Sequence, residues 1–302
     1  MAMLSSSIKP KLNLKETHRI KTILRKYNLH TVCEESFCPN ISECFGGNHT
    51  ATFLLMGSFC TRHCSFCGIR TSKNPPPLDP EEPEKLKKSV LEMGLKFVVL
   101  TSVNRDDLED FGANHLAKCI RSLKSIGCEV EILSPDLNYH KDKIDIVLDA
   151  KPEIFAHNIE TVPRLYPSVR PWGDFRKSVE LLRYAKSKGF ITKTSLIVGL
   201  GEEYSEILEA VRIIKLESDC DIITVGQYFQ PTKSRNQNVI EMFDKWKDLE
   251  DYCKSLGFFA VVGPNVRSSY IADKVFEEYG IFKSLRSNSQ NVQNKEINVI
   301  SS

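Results

Sequence analysis

The chain has 302 residues, enough for one large α/β domain or, less economically, two smaller ones. Lys+Arg 41 against Asp+Glu 39 leaves a net charge of +2, so no global basic field argues for a nucleic-acid partner. The longest apolar runs are of strand length, far short of the ~20 residues a membrane helix needs, and a soluble, cytoplasmic protein with no membrane partner is expected.

In chain order, residues 1–30 carry seven Lys/Arg against the single Glu16, a bias that a transit peptide would share. Glu16–Tyr27 nevertheless reads as an amphipathic helix, with Ile20, Ile23 and Leu24 on one face. No small-residue cleavage site follows an apolar core, so this segment is assigned to the mature protein. Next come Cys33, Cys38 and Cys44, spaced C-x4-C-x5-C, with Pro39 and Asn40 favouring a turn between the last two. Taken alone, this triplet fits either zinc or an iron–sulfur cluster. The apolar run Ala51–Met56 predicts a buried strand.

Directly after it stands Cys60-Thr-Arg-His-Cys64-Ser-Phe-Cys67, spaced C-x3-C-x2-C. Three thiolates on one short loop can hold three irons of a [4Fe–4S] cube and leave the fourth iron open. Zinc is the alternative, but it wants four ligands and only His63 lies nearby. The other four cysteines, Cys119, Cys128, Cys220 and Cys253, are scattered. Two tight triplets suit metal ligation in a reducing compartment better than a secreted disulfide framework. Cys119 and Cys253 fall on helical patterns, where a free cysteine packs as a small hydrophobe.

From there the pattern alternates. Strands are predicted at Phe97–Thr101, Val130–Leu133, Ile154–His157, Thr194–Val198 and Ile222–Val225, six in all with Ala51–Met56. Helices are predicted near 84–93, 112–126, 140–150, 174–188, 203–217 and 239–256, and Phe258–Val262 could add an edge strand. Alternation of this kind implies parallel strands with right-handed crossovers. Six units predict an α/β fold, a partial (β/α)6 barrel rather than a closed one. Polar residues gather at the C-terminal strand ends, where barrel chemistry sits: Thr101–Asp107, His157–Glu160, Gly199–Glu202 and Gly226–Gln230. Some of them could simply cap the next helix. Near the end, Arg267-Ser-Ser-Tyr270 opens another helical pattern in which Ser268 or Ser269 reads as an N-cap. The last fifteen residues, rich in Asn, Ser and Gln, read as disordered.

The Cys60–Cys67 spacing resembles that of radical S-adenosylmethionine (SAM) enzymes, and the motifs together are similar to the lipoyl synthase family. They are Val-Cys-Glu-Glu…Cys-Pro-Asn…Glu-Cys at Val32–Cys44, Thr-Ser-Val…Arg-Asp-Asp at Thr101–Asp107, and His-Asn-x-Glu-Thr-Val at His157–Val162. Val-Arg-Pro at Val169–Pro171, Gly-Leu-Gly-Glu, Gly-Gln-Tyr and the Gly-Pro…Arg-Ser-Ser-Tyr tail complete the set, over roughly residues 15–275. The resemblance implies that Cys60, Cys64 and Cys67 hold a SAM-cleaving [4Fe–4S] cluster. It implies a second, auxiliary [4Fe–4S] cluster on Cys33, Cys38 and Cys44, with Ser268 as an unusual fourth ligand. It further implies a sulfurtransferase that inserts sulfur at C6 and C8 of an octanoyl chain on a lysine of a carrier protein, consuming two SAM per lipoyl group. C–H bonds this inert lie beyond any side-chain base, so the cofactor would carry the hard step and the protein would orient it.

SAM contacts are expected from Thr101, Ser102, Asn158, Glu160, Arg170, Gly199 and Gln227. Implied partners are octanoylated lipoyl domains of a 2-oxoacid dehydrogenase E2 or the glycine cleavage H protein, a low-potential donor such as ferredoxin or flavodoxin, and an iron–sulfur carrier. A three-part organisation follows: an extension over 1–50 with the auxiliary cysteines, a barrel over 51–264 and a tail over 265–302. The chain departs from the family pattern at 232–238, where paired histidines would stand and Thr-Lys-Ser-Arg-Asn-Gln-Asn is found. The nearest alternative is a sulfur inserter of the biotin synthase kind, against which the N-terminal triplet and the serine tail both argue; a zinc-binding scaffold is the non-catalytic one.

Overall fold

The structure, a computed structural model, describes residues 13–36, 38, 40–46, 51–230 and 242–284. The departing loop at 232–238 and the final fifteen residues lie outside them. Helix α1 (Leu14–Tyr27) begins where the Asn13 side chain accepts from the Glu16 amide and ends at Asn28, whose φ of 52° no helix can continue. It buries Ile20, Ile23 and Leu24, as the periodicity requires. Strand β1 (His30–Thr31) then leads into two short helices, α2 (Val32–Glu35) and α3 (Ile41–Gly46). The sequence pattern gave neither helix, because each is too short to show a period.

The six expected strands are all present: β2 (Thr52–Leu55), β5 (Phe97–Ser102), β6 (Glu129–Leu133), β7 (Ile154–Ala156), β8 (Ile191–Val198) and β9 (Ile222–Gln227). The two-stranded pair β3 (Phe59–Cys60) and β4 (Arg70–Thr71) brackets the second cysteine triplet. A seventh parallel strand, β10 (Phe259–Val262), joins β9 at the edge, as the apolar run there suggested. The spatial order is β1-β2-β5-β6-β7-β8-β9-β10, so each parallel strand lies beside its predecessor. That is the winding of a barrel, left open between its two edges. Only β1 runs antiparallel, against β2. The crossovers are α4 (Glu82–Met93), α5 (Ala113–Lys124), α6 (Lys141–Leu148), α8 (Phe175–Ser187), α9 (Tyr204–Ser218) and α10 (Trp246–Ser255), with a one-turn α7 (Tyr166–Val169) before α8.

Strand alternation sorts the two faces of the sheet. Val98, Leu100, Val130 and Ile132 share a core with Leu86, Leu116 and Ile120 of the surrounding helices. Phe97, Val99, Ile154 and Ile222 point the other way and meet Ile271, Ala272, Val275 and Tyr279. The last three belong to a helix over 272–284, α11 here, which fills the N-terminal end of the barrel interior. Above that apolar layer the Lys193 ammonium is hydrogen-bonded to both Glu131 carboxylate oxygens at 2.9 and 2.8 Å. Above that pair, at the C-terminal strand ends, the interior opens.

Candidate functional site

The second triplet lies on a loop bolted to the barrel from inside. Arg62, between Cys60 and Cys64, is buried; its guanidinium takes Asp106 at 2.6 Å on one side and Asp136 at 2.6 Å on the other. Burial works against the cation, but hydrogen bonds and charge from the two carboxylates outweigh it and raise its pKa. Thr61 Oγ1 donates to Asp106 at 2.6 Å, and the amides of Arg62 and Asn104 donate to Cys60 Sγ at 3.4 and 3.3 Å. Farther along, the Ser65 amide donates to the Val169 carbonyl. Upstream, Met56 is held at φ 66°, its amide donating to Glu82 at 3.0 Å, and Glu82 in turn meets His115 Nε2 at 2.5 Å. A side chain at Gly112 would collide with the Met56 thioether.

The first triplet faces it across the interior. Cys33 sits on α2, whose start is capped by Thr31 accepting from the Glu34 amide, and Cys44 sits on α3. Asn40, between Cys38 and Cys44, donates from Nδ2 to the Asn265 carbonyl at 2.8 Å, tying this loop to the tail. The tail runs close over β9: at Gly226 a Cβ would collide with the Val266 carbonyl. Ser269 Oγ accepts from Thr52 Oγ1 at 2.8 Å, while Ser268 has no side-chain partner among the described residues. Neither serine caps α11, because the Val275 amide reaches back to Ile271. The N-cap reading of Ser268 or Ser269 is therefore replaced.

Between the triplets lies a cavity of about 400 Å³. Its wall includes Cys33 and Cys38 from the first triplet, Cys60, Cys64 and Cys67 from the second, and Ser268 and Ser269 from the tail. Cys44 is outside the wall, buried behind it, yet close enough that its charge acts on Cys33. Burial pushes the Cys33 thiol well up, and Cys64 up to about 12 against the opposing charge of Arg170. Thiols this reluctant to ionise become thiolates when a metal takes the proton's place. No disulfide joins any of the ten cysteines.

Is the donor set suited to a single ion or to a cluster? Tetrahedral zinc with sulfurs at ~2.3 Å draws them within about 4 Å of one another. Among the described residues the one trio whose ligand atoms all fall within 4.8 Å is Glu82, His115 and Cys119. Neither cysteine triplet gathers its sulfurs that tightly. The cavity also fits a polar organic cofactor. Ser102 Oγ and Asn158 Oδ1 are buried without a partner in its wall, acceptors and donors waiting for a ligand. Glu160, at φ 71°, lies half-buried beside them; desolvation raises its carboxyl to about 7, against the opposing pull of Arg170 and Asn158. Arg170 donates to the Asn158 carbonyl at 2.6 Å. His157 is held neutral, lowered to about 4 by burial and by Arg170.

Of the expected SAM contacts, Thr101, Ser102, Asn158, Glu160, Arg170 and Gln227 line the cavity. Gly199 does not; it sits in a turn at φ 96° with its amide donating to Glu202. Gln227 uses its amide on the Val198 carbonyl and the Phe243 N–H. Sequence reasoning missed Arg62, Asp136, Glu82, Asn40 and Arg267. Arg62 stands inside the cysteine motif and could have been flagged there; Asp136 and Glu82 carry no local signal.

Comparison with known proteins agrees with this geometry. Residues 54–214 match the model of the Radical SAM superfamily. Lipoyl synthase of Aquifex aeolicus is 45% identical over 277 residues, covering 89% of this chain and 98% of that protein. The mitochondrial lipoyl synthase of Schizosaccharomyces pombe is 46% identical over 276 residues, 86% and 73% of the two chains. Among solved structures, methylornithine synthase (PylB) superposes with a TM-score of 0.54 at 17% identity, over 81% of this chain and 74% of that one, which is a likeness of fold.

Proposed function

The chain belongs to the lipoyl synthase family of the radical SAM superfamily, and from that premise we propose how its two cysteine triplets and its serine tail divide the work. As a lipoyl synthase it is a sulfurtransferase: it uses SAM and a [4Fe–4S] cluster to insert two sulfur atoms into an octanoyl group carried by a lipoyl carrier protein. The residue assignments are our reading. Cys60, Cys64 and Cys67 would hold the SAM-cleaving cluster; Cys33, Cys38, Cys44 and Ser268 would hold an auxiliary [4Fe–4S] cluster. When bound, the first cluster with SAM supplies the hydrogen-abstracting radical and the second supplies the sulfur.

The observation that carries this reading is that Cys33 and Cys38 of the first triplet, all three cysteines of the second and Ser268 line one cavity, so hydrogen abstraction and sulfur delivery can address the same carbon chain. The chain's own residues then have definite tasks. Arg62, clamped by Asp106 and Asp136, fixes the Cys60–Cys67 loop. Ser102, Asn158 and Glu160 would accept and donate to the polar groups of SAM, with Arg170 holding the segment that carries the last two. The apolar wall, including Val32, Leu54, Ile69 and Ile197, suits an octanoyl chain and keeps water from it. Thr52 occupies the Ser269 hydroxyl, which supports Ser268 as the ligand.

As carriers we propose octanoylated E2 lipoyl domains or an H protein, with a ferredoxin- or flavodoxin-type donor and an iron–sulfur carrier to rebuild the auxiliary site. No helix among the described residues is long and apolar enough to cross a membrane. Two tight cysteine triplets fit metal ligation in a reducing compartment, and we take the cytoplasm as its location. The organisation into 1–50, 51–264 and 265–302 is kept as a functional division, although β1 and α1 pack directly on the barrel. The test is chemical: anaerobically reconstituted protein should hold two [4Fe–4S] clusters, and replacing Cys60, Cys64 and Cys67 with alanine should leave about half the iron and abolish SAM cleavage. SAM cleavage surviving in that variant would refute the assignment.

A further inference from the structure

The buried and half-buried arginines around the cavity mostly come with carboxylates. Arg62 has Asp106 and Asp136, Arg105 has Asp107 at 2.7 Å, and Arg170 lies 3.5 Å from Asp136. Arg267 is the exception. Its guanidinium donates to the carbonyls of Val266 at 2.7 Å and Gln227 at 3.3 Å and lies 5.1 Å from the Phe229 ring centroid, and no carboxylate among the described residues reaches it. Burial lowers its pKa, and the one charge opposing that is Cys38. It stands in the cavity wall with Cys33, Cys38 and Ser268, close over Gly226 of β9. A partly buried cation without an anion is costly unless its counter-charge arrives from elsewhere.

We propose that Arg267 is the counter-charge of the auxiliary site. It faces the net negative charge that three thiolates and a serine oxygen confer on a bound cluster, and it raises the reduction potential there. Its two carbonyl contacts also hold the tail at the cavity lip, so Arg267 is a positioning residue for Ser268 as well. This inference rests on the auxiliary-cluster reading above.

The experiment isolates that cluster in the Cys60→Ala, Cys64→Ala, Cys67→Ala background and adds Arg267→Met or Arg267→Lys. Potentials are read by spectroelectrochemistry, iron and sulfide by assay, and folding by circular dichroism. Removing the nearby positive charge should disfavour the reduced, more negative state. Arg267→Met is therefore expected to shift the one-electron equilibrium about tenfold toward oxidised, which is about 59 mV more negative. Arg267→Lys, which keeps the charge, should recover most of the shift. If Arg267→Met takes up no cluster while Arg267→Lys does, the charge requirement is likewise supported. An unchanged potential in Arg267→Met at full iron content overturns the proposal. So does a lysine variant as impaired as the methionine one, since hydrogen-bond geometry would then be the requirement. A background protein that binds no iron with Arg267 intact would instead sink the auxiliary-cluster reading, and this inference with it.

Discussion

Lys193→Met tests the layer on which the cavity rests. Lys193 and Glu131 are each 1% exposed, and the ammonium meets both carboxylate oxygens at 2.8 to 2.9 Å, so no water screens or replaces either partner. Removing the cation leaves a carboxylate buried between apolar residues and the cavity floor. Breaking a buried pair in this way costs about 3–5 kcal/mol. For 302 residues an unfolding entropy near 2.1 cal/mol/K per residue sums to roughly 0.6 kcal/mol/K. The thermal midpoint should then fall by about 5–8 °C, compared anaerobically at equal iron content. The variant should also protonate Glu131, because burial already raises that carboxyl and its opposing cation is gone. Adding Glu131→Leu should restore most of the loss, since two apolar side chains replace a buried pair at little cost. A single variant that melts within about 1 °C of the parent, or a double variant no better than the single, would refute the account.

Three further outcomes are expected at the site. Gly226→Ala forces a methyl into the Val266 carbonyl, so the tail must lift; lipoyl product should fall by at least about tenfold, while 5′-deoxyadenosine is still formed, and equal product yields would show that the tail tolerates the shift. Ser268→Ala should cleave SAM yet make little lipoyl product, whereas a fully active Ser268→Ala beside a dead Ser269→Ala would move the ligand one residue along. For Glu160, held at about 7, the carboxylate is present above that pH and lost below it. SAM affinity should therefore weaken as pH falls, about tenfold at pH 6 if only the ionised form binds, and Glu160→Gln should flatten the profile in equilibrium binding.

The β/α alternation was legible because each parallel strand is an apolar run and each crossover helix an amphipathic one, and both signals are local. Strand and helix ends moved by a few residues, as at β8, which begins at Ile191 rather than Thr194 because its first residues, Ile191 and Thr192, pair with β7. The short helices α2 and α3 stayed hidden, since four and six residues carry no period, and the cap of α2 comes from the end of a strand.

By itself the sequence supplied the candidate ligands: cysteine spacing is a local property, and six thiols in two triplets point to metal binding before any fold is known. It also determined the winding, because βα units of this length can only close back on the sheet one way. What tertiary structure decided was everything that depends on distance across the barrel. It brought residue 40 to 265 and residue 52 to 269, and it set Arg62 between carboxylates 44 and 74 positions away. It left Arg267 facing thiols rather than an acid and took Gly199 out of the cavity wall. Charges and hydroxyls have no periodicity to betray their partners; only the packed interior, where an unpaired group is costly, selects which of them meet.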